Sequence, residues 1–150
     1  MPHERSFGSV IIRKEGNNVF YLLLYRKSHG NYKESWDFPR GLIEKDENPE
    51  DTVKREVKEE TGLTNLKFIK GFKETIKWFY RKDGMLISKE ATYFLAETSS
   101  KEIKLSKEHD GYRWCIYEEA LKLIKFENTR NILNKAREFL ANSLFFYCWL

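Results

Sequence analysis

Glutamine does not occur in this chain, and cysteine and methionine occur only twice each in 150 residues. Lysine and glutamate are plentiful in their place, a balance found in thermophilic proteins. Cys115 and Cys148 lie far apart and form no CxxC pattern, so a disulfide framework is excluded and a reduced, cytoplasmic protein is expected. Cys148 stands third from the end rather than fourth, which excludes the prenylation pattern. Long apolar runs are lacking as well. The opening MPHERSF has no secretion-signal core, and the closing LFFYCWL is far shorter than the roughly 20 residues a membrane helix needs, so no membrane association is expected. Nor does one sign of charge dominate. The 27 basic and 23 acidic residues leave a net +4, which admits anionic ligands without indicating a stable nucleic-acid partner.

With no repeat or low-complexity linker, residues 1–150 read as a single domain, monomeric and long enough to bury a core. FGSVIIRK (7–14) and NVFYLLLYRK (18–27) are β-rich runs joined across a turn-type EGNN. GNYKESWDFPRG (30–41) reads as a loop. A helix follows, with Asn48 as its cap, Pro49 in its first turn and Gly62 as its stop. Two more β-rich runs, 65–80 and 87–98, flank RKDG as a hairpin connection, and 112–117 is a further strand. Residues 118–124 and 128–146 carry helical apolar spacing. The interleaving predicts an α/β protein with a mixed β-sheet sandwiched between α-helices.

The segment 41–63, GLIEKDENPEDTVKREVKEETGL, holds eight acidic residues. Carboxylates three and four apart on a helix repel by roughly 0.2–0.5 kcal/mol per pair. Glu56, Glu59 and Glu60 have that spacing and converge on one strip. A divalent cation offsets such repulsion, and Mg²⁺ takes a few carboxylates together with waters and phosphates. Glu47 and Arg55 flank the strip as a pair able to orient it. Taken alone, paired glutamates on a helix are more often a solvated face. The spacing of the whole segment weighs against that reading. Gly41, five residues, Glu47, seven residues and then Arg55-Glu56-Val57-Lys58-Glu59-Glu60-Thr61-Gly62-Leu63 match the box G-x5-E-x7-R-E-U-x-E-E-x-G-U, with U aliphatic, at every position.

In that box the chain resembles the Nudix hydrolases. The resemblance implies the Nudix fold, hydrolysis of a nucleoside diphosphate linked to another group, and dependence on Mg²⁺ or Mn²⁺. It implies that Glu56, Glu59 and Glu60 bind metal, that the Gly41 carbonyl is a further candidate ligand, and that Glu47 and Arg55 support them. Glu59 is one candidate for the general base, and the sequence does not decide among the glutamates. Two further stretches, WDFPRG (36–41) and SKEHDGYRW (106–114), are similar to those of the asymmetric diadenosine tetraphosphate hydrolases, with Arg40 where a lysine is usual. That similarity runs on through EEALKLIKF (118–126), and the final FFYCWL departs from it. It implies that Tyr80 and Phe126 sandwich adenine, that Lys89 and Tyr93 meet the phosphate chain with Arg40, and that Glu108 approaches the metal, with Asp110 as its alternative. Stacking on one aromatic contributes about 1–3 kcal/mol per base. Ordinary core packing remains the alternative for both rings, and a solvated lysine beside a half-buried tyrosine the alternative for Lys89 and Tyr93.

The expected substrate is therefore a dinucleoside polyphosphate, diadenosine tetraphosphate split unequally into ATP and AMP. The alternatives are an RNA 5′-pyrophosphohydrolase, another Nudix nucleotide pyrophosphatase, or a nucleotide-binding module without turnover. The aromatic tail of Phe145, Phe146, Tyr147 and Trp149 is a candidate partner surface that more simply folds back.

Overall fold

A computed structural model describes the backbone of residues 1–147 and the side chains through Ser143, so Cys148 and the aromatic tail lie outside the described side chains. The longest strand, β1 (His3–Glu15), organises the molecule. β2 (Asn18–Arg26) returns antiparallel to it after a two-residue Gly16-Asn17 turn, with Ile12 opposite Tyr21. β3 (Ser35–Asp37) pairs β2, and β4 (Arg40–Leu42) pairs β1 with Gly41 opposite Phe7. Helix α1 spans Pro49–Thr61. β5 (Lys67–Phe68) and β6 (Glu74–Lys82) both lie antiparallel to β7 (Met85–Glu97). β7 runs parallel to β1 from His3 opposite Ser88 to Ile12 opposite Glu97. β8 (Gly111–Cys115) closes on β2, and α2 (Tyr117–Leu123) and α3 (Glu127–Tyr147) follow. All eight strands form one mixed sheet.

Alternation sorts the side chains of the central strands to opposite faces. Val10, Ile12, Tyr21 and Leu23 pack with Ala120, Ile132, Leu133 and Ala136 of α2 and α3. Phe7, Ile11, Leu22 and Leu24 pack with Val53 and Val57 of α1. Burial on both faces explains why these strands read as unbroken apolar runs. The expected sandwich of a mixed sheet between helices is present.

Differences from the sequence reading are local. The expected loop 30–41 contains β3 and β4, three-residue strands that owe their form to pairing with β2 and β1. The run 65–80 divides into β5 and β6, broken where Gly71 takes a φ of 99°. RKDG narrows to an Asp83-Gly84 turn, both residues at positive φ, as a two-residue hairpin demands. Among the described residues, no helix is long and apolar enough to cross a membrane.

Candidate active site

Helix α1 is set rigidly. Asn48 accepts the Asp51 backbone N–H at 2.9 Å and completes a capping box, and Gly62 ends the helix with a φ of 77°, its N–H donating to the Lys58 carbonyl. Arg55 projects from this helix as the hub of a charged network. Its Nε and Nη2 fork onto Glu47 at 2.7 and 3.1 Å, and Nη2 also donates to the Leu42 carbonyl at 2.9 Å. Its Nη1 reaches Glu56 at 2.7 Å and Glu59 at 3.5 Å. Glu47 further accepts the Glu44 backbone N–H and the Thr52 hydroxyl. Hydrogen bonding from Arg55 holds the Glu47 carboxyl down at about 2, and the same bond raises Arg55 above the usual guanidinium range. The expected pair thus exists as an ion pair joining the loop before α1 to the acidic strip.

The three carboxylates of that strip occupy different environments. Glu59 is the open one, its side chain 57% exposed. The Glu56 carboxylate lies against Gly41, where a Cβ would fall 1.9 Å from Glu56 Cδ, so only glycine leaves room. Burial raises the Glu56 carboxyl above its ordinary range, with Glu59 and Glu108 adding to the effect against Arg55. Glu60 is only 4% exposed and accepts the Arg40 backbone N–H at 3.2 Å. Burial, then the neighbouring Glu56 and Glu108, push Glu60 up to about 8. Glu108 belongs to the loop before β8, where its carbonyl accepts Arg26 Nε at 3.2 Å, and its charge bears on both helix glutamates.

The chemistry of these side chains suits a hard divalent cation: oxygen donors with negative charge in excess, partly desolvated. Among the described residues no three acidic, histidine or cysteine side chains are already drawn around one point.

A second cluster adjoins Glu60 through Arg40. Gly8 lets the Pro39–Arg40 segment press onto β1, for a Cβ there would fall 2.3 Å from the Pro39 carbonyl oxygen. The Arg40 side chain donates to the Tyr93 hydroxyl at 2.8 Å and lies 5.4 Å from the Trp78 ring centre. Lys89 lies 5.7 Å from Trp78 and 5.9 Å from the Tyr80 ring. Burial, then Arg40, lowers the Lys89 ammonium, and burial raises the Tyr93 phenol. The Tyr80 hydroxyl donates to Glu4. Arg40, Lys89, Tyr93 and Tyr80 therefore form one continuous group. Phe126 lies in the link between α2 and α3 and is 48% exposed, a ring open to solvent. Sequence reasoning missed Trp78 and Glu4. Trp78 shares a strand face with Tyr80, two residues on, and that periodicity was a usable signal. Glu4 comes from the distant start of β1, and no local pattern announces it.

The fold and the site define a hydrolase of one family. A model of the NUDIX domain matches residues 2–136, and the chain belongs to the Nudix family. It is a Nudix hydrolase, of a family that generally uses a divalent metal. The asymmetrical bis(5′-nucleosyl)-tetraphosphatase of Mus musculus is 33% identical over 148 residues, covering 93% of this chain and 97% of that protein. A crystal structure of a C. elegans Ap4A hydrolase binary complex aligns with a TM-score of 0.79 at 30% identity, over 93% of this chain and 98% of that one. The RNA pyrophosphohydrolase of Bartonella tribocorum is 35% identical over 82 residues, covering 53% of this chain and 46% of that protein.

Proposed function

We propose that this chain is a Mg²⁺-dependent asymmetric hydrolase of diadenosine tetraphosphate, releasing ATP and AMP. The observation that carries this reading is the sequence of groups from the Glu60 carboxylate, which accepts the Arg40 backbone N–H, through the Arg40 and Lys89 cations that both approach Trp78, to the Tyr80 ring, an order that suits metal, phosphates and base. Similarity to the mouse tetraphosphatase over 93% of the chain supports it against the match to an RNA pyrophosphohydrolase over 53%.

In this reading Glu56, Glu59, Glu60 and Glu108, with the Gly41 carbonyl, hold the cation. Such a cation supplies charge neutralisation along the phosphate chain and acidifies water. Arg55, oriented by Glu47, keeps Glu56 and Glu59 in position. Glu59, the most exposed of the three, is available to take the proton of the attacking water. Arg40 and Lys89 balance the phosphates, with the Tyr93 hydroxyl orienting Arg40. Tyr80 stacks on one adenine and Phe126 covers its other face. Clamping one adenosine at a fixed distance from the carboxylates makes the cut unequal. The protein works as a monomer.

The test is a panel of diadenosine tetraphosphate, ADP-ribose, 8-oxo-dGTP and triphosphorylated RNA with Mg²⁺, compared as kcat/KM. Diadenosine tetraphosphate should lead, with isotopic oxygen from water in only one of its two products. Glu59→Gln and Glu60→Gln should each lower kcat by orders of magnitude. A faster reaction with RNA, or wild-type turnover in either variant, overturns the assignment.

A further inference from the structure

The cluster of Arg40, Lys89, Trp78 and Tyr80 suits a polyphosphate, yet Glu4 brings a carboxylate into it. Strand pairing places it there. Glu4 lies level with Lys89 of the parallel β7, and Lys89 lies opposite Trp78 of β6, so the three side chains share one face of the sheet. Tyr80 stands on the same face, two residues beyond Trp78. By charge alone, Glu4 repels the phosphates of the substrate proposed above. It offsets no cation either, for among the described residues it takes part in no ion pair. Its side-chain partner is the Tyr80 hydroxyl, which donates to it.

The two ends of this bond differ in how firmly they are held. The start of β1 is fastened on both sides of Glu4. The Pro2 carbonyl accepts the Ser88 backbone N–H at 2.9 Å, and His3 Nδ1 and the Ser88 hydroxyl share a bond of 3.0 Å. The pairing with β7 then continues without a break through Ile12. Tyr80 has less support. Among the described strands β6 pairs only with β7, and Tyr80 stands near the end of β6, shortly before the Asp83-Gly84 turn. Its neighbour Phe79 faces the other way and is 63% exposed. A ring on such an edge turns about two side-chain torsions, and freezing them on a ligand weakens binding. A hydroxyl already bonded to a fixed acceptor removes that freedom before a base arrives.

We propose that Glu4 is a positioning residue, which holds the Tyr80 ring in the plane on which a base stacks. This rests on the polyphosphate reading above and adds how its stacking ring is set. Glu4 acts through Tyr80 and touches no reacting atom, so it governs KM and leaves kcat alone. The sign of the effect is distinctive. Removing an acid from a cationic site tightens an anionic ligand by charge, whereas losing the hold on Tyr80 weakens a ligand that carries a base.

The experiment measures hydrolysis of diadenosine tetraphosphate beside inhibition by inorganic tripolyphosphate, which has the charge and no base. Glu4→Ala should raise KM for the dinucleotide about three- to tenfold, a part of what one base stack contributes, with kcat within about twofold. Tripolyphosphate should inhibit that variant as well as the wild type or better. Glu4→Gln, which keeps an oxygen to accept the hydroxyl, should hold KM near the wild-type value. Tyr80→Phe breaks the same bond from its other end, so it should raise KM by the same factor, and the double variant should go no further. It also gives the reading if Glu4→Ala does not fold. The inference is overturned by an unchanged or lower KM in Glu4→Ala and Tyr80→Phe, by additive effects in the double variant, or by an equal loss of tripolyphosphate inhibition. A wild-type protein that left diadenosine tetraphosphate intact would sink the polyphosphate reading and this role together, whereas normal hydrolysis with an indifferent Glu4 sinks the role alone.

Discussion

Two residues of the acidic segment make contributions that depend on what they touch. Gly41 has no side chain because the Glu56 carboxylate occupies that space. Gly41→Ala should leave the fold intact, since Glu56 can swing away, but lower kcat about 100-fold, the usual consequence of displacing a working group by an ångström. Unchanged circular dichroism with unchanged kcat would refute that role. Glu60 carries a different prediction. Its carboxyl titrates near 8 in the folded protein against an ordinary 4.5. Between those values the folded state keeps a proton that the unfolded chain releases, so stability falls as pH rises from about 4.5 to about 8. In EDTA, urea midpoints should therefore drop between pH 5 and pH 8. Glu60→Gln should flatten that slope, and an equally steep profile in the variant would count against it. The Glu47 carboxyl, held at about 2, works in the opposite sense, its contribution present above 4.5 and lost only in strong acid.

Helix α1 is the element that turns these residues into a site. Its capping box and its Gly62 stop define thirteen residues, so Arg55, Glu56, Glu59 and Glu60 share a fixed frame. Val53 and Val57 anchor the frame to Phe7 and Ile11 of β1. Asn48→Ala removes the cap and should lower stability by about 1 kcal/mol, with a much smaller effect on kcat. Arg55→Lys should do the reverse. It keeps the charge but cannot fork onto Glu47 while reaching Glu56, so stability should change little and activity should fall about 10- to 100-fold. Denaturation curves and kinetics on the same two preparations separate the cases.

At the scale of the whole molecule, the sheet brings distant segments side by side. The parallel pairing of β1 and β7 puts Glu4 level with Lys89 and Gly8 level with Tyr93. The β1–β4 pairing then lays Arg40 opposite Gly8. Repelling carboxylates held on such a scaffold store unfavourable charge that a bound cation relieves, so binding should stabilise the folded state. Mg²⁺ should raise the melting temperature, and by more at pH 8 than at pH 5, where protons compete for the same oxygens. A shift independent of pH would argue that the ion binds elsewhere.

What the amino-acid order determined alone was whatever depends on neighbours along the chain. The cap, stop and glutamate spacing of α1, the hairpin connection within RKDG, the β-rich runs of the strands and the box itself are local, and each was legible in the sequence. Tertiary structure decided the rest. The strands β3 and β4 exist because β2 and β1 pair with them, and nothing in GNYKESWDFPRG announces strand. Their shared place on one helical strip made Glu56, Glu59 and Glu60 look alike, whereas burial against the sheet and contact with Arg55 leave one exposed, one held and one nearly sealed. Burial and proximity are properties of the folded surface, and they set charge, access and partner for side chains that the sequence can only place in line.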